Sequence, residues 1–101
     1  MAETIDDITI TYEEGGETVV EELDKAILTK GSWTTILFKY RERDRSGEMG
    51  PEKFSIRRYQ KRNGVFRQQS KFNISSVKQA RQLIDALSTW TEGASDDGSD
   101  D

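Results

Sequence analysis

The sequence predicts an α+β fold: a four-stranded antiparallel sheet followed by one C-terminal amphipathic helix (ββββα). Three observations carry this. Apolar residues alternate with period two through WTTILFKYRER (33–43) and again through KFSIRRYQK (53–61), as half-buried strands require. Asn63-Gly64 then stands as a turn before a further strand-like run, VFRQQSKFNI (65–74). From Val77 the period changes, and Val77, Ala80, Leu83, Ile84, Leu87 and Trp90 recur at helical spacing.

The elements follow in order. KAILT (25–29) is a short apolar strand that ends at the turn-like Lys30-Gly31-Ser32. The second strand puts Ile36, Phe38 and Tyr40 on one face and Leu37, Lys39, Arg41 and Arg43 on the other. DRSGEMGPE, with two glycines and the only proline, is a loop. The third strand sets Phe54 and Ile56 against Arg57, Tyr59 and Lys61. A two-residue loop at Asn63-Gly64 pairs Phe54 with Asn73 and splits the apolar set between faces. A three-residue loop, Arg62-Asn63-Gly64, pairs Lys61 with Val65 and sets Phe54 opposite Phe72 and Ile56 opposite Ser70, with Phe66 and Ile74 on that same face. The three-residue loop is therefore expected. Ser76 with Gln79 forms a capping box at the helix start, and Gly93 follows its end. The helical stripe is expected to pack on the sheet as core.

Charge divides the chain into three. Residues 1–24 hold nine acids and no Lys or Arg; 25–90 hold fifteen basic residues and five acids; 91–101 hold five acids. The net charge of -4 thus hides a basic middle between acidic ends. We read 1–24 as an acidic N-terminal arm, either a short hairpin or a frayed segment, 25–90 as the basic ββββα domain, and 91–101 as a disordered acidic tail. A domain this small buries only about 60% of its unfolded surface, so a homodimer is expected, with Trp90, Trp33 and Leu37 as contact candidates or else as monomer core.

The sequence has no Cys and no His, which removes disulfides, Cys/His zinc sites and histidine acid–base chemistry. No nucleotide-binding glycine loop is present, and neither an enzyme nor a metal or cofactor is expected. Without an apolar membrane-spanning run or a signal-peptide pattern, a cytoplasmic, nucleoid-associated protein is expected.

Residues 53–76 carry seven Lys and Arg and no Asp or Glu. With the three-residue loop, Arg57, Tyr59, Lys61, Arg67 and Lys71 share one sheet face, to which the neighbouring strand adds Lys39, Arg41 and Arg43. Like charges crowded on a sheet repel, and nucleic-acid phosphates offset that cost by counterion release. An exposed Tyr59 would offer a stacking surface, which favours single strands over duplex. The other reading of the basic face is a dock for an acidic protein partner. The acidic tail could compete with phosphate for this face, or simply solubilise the chain.

WTTILFKYRERD, the loop and strand SGEMGPEKF, and SKFNISSVKQARQLIDAL as final strand and helix resemble the whirly-like single-stranded-DNA-binding domains of the transcriptional positive-cofactor coactivator type. The resemblance covers 33–90 and rests on pattern and order. It implies a dimer that binds single-stranded DNA, in preference to RNA, on its sheets and acts in transcription or genome maintenance. It also implies that Lys39, Arg41, Arg57, Tyr59, Lys61, Arg67 and Lys71 carry binding. QSKFNISSVKQARQLIDAL is also similar to the end of double-stranded-RNA-binding domains, but those begin with a helix, where this chain shows strand and turn signals.

Overall fold

The computed structural model describes residues 3–94. Five strands follow one another as an antiparallel meander that curls on itself: β1 (Tyr12–Glu14), β2 (Glu17–Thr29), β3 (Trp33–Glu42), β4 (Lys53–Arg62) and β5 (Val65–Ile74). One helix, α1 (Val77–Thr91), closes the order. The sheet has five strands, not the four expected. The extra strand comes from the acidic segment, where Gly15 and Gly16 take φ of 61° and 81° and turn β1 into β2. β2 runs on through KAILT, so the boundary expected at residue 24 falls inside a strand. The acidic tail expected over 91–101 lies outside the described residues from 95 onward.

The β4–β5 turn has two residues, not three. Asn63 and Gly64 both have positive φ, 53° and 79°, and Arg62 pairs with Val65. That is the turn whose twist matches the strands, and Asn-Gly suits it best. A register shift beside Arg58 and Tyr59 then leaves Gln69 as the extra residue and sets Phe54 opposite Ile74 and Ile56 opposite Phe72. The bulge brings those four apolar residues to one face, which the longer loop had been expected to do. Phe66, on the turn side of the bulge, falls on the other face.

The β3–β4 register decides the rest. Ile36 pairs with Arg57, Phe38 with Ser55 and Thr34 with Tyr59. Tyr59 therefore shares a face with Ile36, Phe38 and Tyr40. This face is covered by residues 3–11, which cross it as a strap. Ile8 and Ile10 are buried there against Ile36, Phe38, Tyr40, Tyr59 and Phe66, with Ile5 packed beside them. Phe38 and Ile36 are fully buried, and burial of each stabilises the fold by about 1.5–3 kcal/mol. The Lys25 ammonium anchors the strap by donating to the carbonyl oxygens of Ile5 (3.1 Å), Asp6 (3.3 Å) and Ile8 (2.6 Å). The Glu22 carboxylate accepts from the Thr9 hydroxyl at 2.7 Å and from the Ile10 amide.

The opposite face carries Leu37, Phe54, Ile56, Phe72 and Ile74, and α1 stands over it. The helix was expected to seal this side as core, yet none of its residues is buried. An apolar groove of ≈ 500 Å³ remains between helix and sheet. Ile84, Leu87 and Trp90 are 59%, 54% and 76% exposed. Among the described residues, no helix is long and apolar enough to cross a membrane.

With so little burial, α1 depends on its cap. The Ser76 hydroxyl accepts from the Gln79 amide at 3.1 Å, and the Gln79 side chain reaches back to the amide of Ser75 at 2.9 Å, one residue earlier than in the standard box. Ser76→Ala is expected to cost about 1 kcal/mol, read as a shift in the urea midpoint with an unchanged slope. An unshifted midpoint would mean that the cap does not hold the helix.

Candidate nucleic-acid interface

The eight residues expected to form one basic face are divided between three places. Arg57, Tyr59, Lys61 and Lys71 lie on the strap face. Lys39, Arg41 and Arg67 lie on the helix face: β3 pairs Lys39 with Phe54, and the two-residue turn sets Arg67 opposite Gln60, one residue from the Tyr59 position that a three-residue loop would give it, which reverses its face. Arg43 is tied into the β3–β4 loop, donating to the carbonyl oxygens of Thr18 (2.9 Å) and Gly47 (2.6 Å).

Tyr59 is the sharpest correction. It is 7% exposed, inside the core under the strap, and offers no open ring face for a base. Burial raises its phenol above the ordinary tyrosine value, against a smaller lowering from Arg57. The group stays a neutral hydroxyl throughout the physiological range.

Ion pairing separates the basic residues further. Lys39 meets Glu52 at 3.5 Å, Arg41 meets Glu21 at 2.9 Å, Arg43 meets Glu17 at 3.7 Å and Lys53 meets Glu42 at 2.9 Å. The hydrogen bond to Glu42 raises the Lys53 ammonium above its ordinary value. Three of the pairs join β3 or the loop after it to acids of β2 and the loop, and the fourth joins the start of β4 to Glu42 at the end of β3. Each is partly solvent-exposed and contributes little to stability, but three of them neutralise cations that were expected to bind phosphate, Lys39, Arg41 and Arg43.

The free positive charge lies elsewhere. Residues 53–84 contain nine Lys and Arg and no acid. Among them Lys61, Arg62, Arg67, Lys71, Lys78 and Arg81 are exposed. None of these six has a carboxylate within 4.0 Å among the described residues. They follow the β4–β5 hairpin at one edge of the sheet and continue onto the first turns of α1. Lys61 lies over the Phe66 ring at 5.3 Å, and Arg58 stacks on Trp33 at 4.6 Å, beside the same hairpin. The hairpin is no free ribbon: β3 flanks it as far as the Trp33–Gln60 pair.

No protein-family model, curated protein or solved structure matches the chain. The site therefore stands on its own chemistry.

Sequence reasoning selected Arg57, Lys61, Arg67 and Lys71 of this hairpin and missed Arg62, Lys78 and Arg81. The signal that finds them is the absence of acids over 53–84, which does not depend on register. Sorting by strand face, which does, brought in Lys39, Arg41 and Arg43.

Proposed function

We propose that the chain binds single-stranded nucleic acid along the edge formed by the β4–β5 hairpin and the start of α1. One observation carries this: six exposed Lys and Arg lie there without a carboxylate partner, while the basic residues of β3 are paired. Unpaired cations gathered on one hairpin and the helix that follows it cost repulsion that a phosphate backbone offsets. Because β3 flanks the hairpin, it cannot enter a duplex major groove as a two-stranded ribbon does, and a flexible single strand follows a sheet edge more readily. The resemblance to whirly-like domains adds DNA as the strand, and transcription or genome maintenance by a nucleoid-associated cytoplasmic protein as the setting.

The test is fluorescence anisotropy of a labelled single strand of about 20 nucleotides at two salt concentrations, with duplex as competitor. Binding that weakens with salt and resists duplex supports the proposal. No binding at low salt overturns it and turns the hairpin into a dock for an acidic protein.

The active form is a homodimer joined through the helix face. Leu28 and Phe72 on the sheet and Ile84 and Leu87 on α1 are all more than half exposed around one groove, and Trp90 further along α1 is 76% exposed. Residues 92–101 carry no apolar side chain larger than Ala94 and so cannot fill it. Groove and apolar helix stripe belong to the same surface, which makes the face self-complementary about a twofold axis. A stable dimer buries about 800 Å² per partner. Leu87→Asp is expected to convert the dimer to a monomer in sedimentation analysis. A wild-type chain that sediments as a monomer would overturn the pairing.

A further inference from the structure

An open cavity of ≈ 570 Å³ lies between the strap and the β4–β5 hairpin, within the range of about 300–1,000 Å³ typical of small-molecule sites. Arg57 and Gln68 line it from the sheet, beside the buried Tyr59 and Phe66, and Glu3 and Asp7 line it from the strap. Both sides are held. Arg57 donates through Nε to the Ser55 hydroxyl and through Nη1 to the Gln68 side-chain oxygen, each at 3.1 Å, and Ser55 itself donates to Asn73 at 2.8 Å. The strap is fixed by the Lys25 and Glu22 bonds described above.

Opposite charges thus share a cavity without meeting. Among the described residues no carboxylate lies within 4.0 Å of Arg57. Charges separated by water attract weakly, whereas a ligand that touches both sides gains from each. Such a ligand needs adjacent N–H donors for the carboxylates and an acceptor or anion for Arg57 and Gln68. Guanine has all of these: neighbouring imino and amino N–H groups, a carbonyl oxygen, and an attached phosphate. Thymine presents one N–H between two carbonyl oxygens, which carboxylates repel.

We infer that this cavity receives a guanine splayed out of the bound strand, with Asp7 or Glu3 reading its N–H edge and Arg57 its acceptor side. The inference rests on the single-strand reading above and supplies the base preference that a basic edge alone cannot provide.

The test compares three strands of about 20 nucleotides: all thymine, the same with one central guanine, and the same with inosine, which lacks the amino group. The guanine strand is expected to bind at least about fivefold more tightly than all-thymine, the lower end for a bidentate base contact. Inosine should lose most of that gain. The double variant Glu3→Gln/Asp7→Asn should abolish the preference. Because it removes two negative charges, affinity for every strand rises, and the ratio is the readout. All-thymine binding by the variant also shows that it is folded. Equal binding of guanine and thymine strands by the wild type overturns the pocket and leaves the single-strand reading standing. A preference that survives in the variant also overturns it. Failure of all three strands overturns both.

Discussion

Tyr59→Ala lowers the stability of the domain by about 3–5 kcal/mol, the usual cost of deleting a large core ring. The ring lies between the strap and β3, in one cluster with Ile8, Ile10, Phe38 and Phe66. Removing it withdraws support from the strap and from the sheet at once. The strap has no strand ladder through Ile8 and Ile10 to compensate; it is held by three isoleucines, Lys25 and Glu22. Small domains have total stabilities at the low end of about 5–15 kcal/mol, so the variant should be largely unfolded at 37 °C. Urea denaturation followed by circular dichroism measures this. A Tyr59→Ala protein as stable as the parent would place the ring outside the core and restore it as a stacking surface.

Arg62→Gln combined with Arg67→Gln weakens single-strand binding about 25-fold at 0.1 M salt. Each lost phosphate contact removes about 0.7 from the slope of log K against log salt, which is about fivefold at that concentration. The slope itself should fall by about 1.4. Both arginines are exposed at the hairpin edge, on strands that stay paired without them, so stability should change little. The control is Lys39→Gln with Arg41→Gln, which removes two charges from β3. Those charges are already balanced by Glu52 and Glu21. Affinity in the control should stay within about twofold, since neither cation belongs to the proposed edge and surface charges are screened by salt. Equal losses in both double variants would mean that binding follows overall charge and not this edge.

The alternation over 33–43 and 53–61, the Asn-Gly turn, the helical stripe and the Ser76 cap were legible because each depends on neighbours in sequence. The acid-free stretch was legible for the same reason. β1 and the first half of β2 were legible only as one of two alternatives, a short hairpin or a frayed segment, because nine acids without a basic residue also suit a solvated arm. They form strands because Val20, Ile27 and the strap isoleucines pack on a face that other strands supply.

What the sequence determined by itself is the inventory: an antiparallel α+β chain, a capped amphipathic helix, and one long basic segment free of acids. Only the tertiary structure decided which residues meet. The β3–β4 register depends on how the loop over 43–52 closes, and the β5 register on a bulge beside Gln69; neither carries a local signal. Since a strand turns over with every single-residue shift, those two choices moved Tyr59 from surface to core and moved Lys39 and Arg41 to the other face. They also left Arg57 facing the strap's carboxylates across an open cavity. Exposure of the helix stripe was likewise decided in three dimensions. An apolar period states that a face must be covered, and only the assembled fold shows that the chain's own sheet leaves it open.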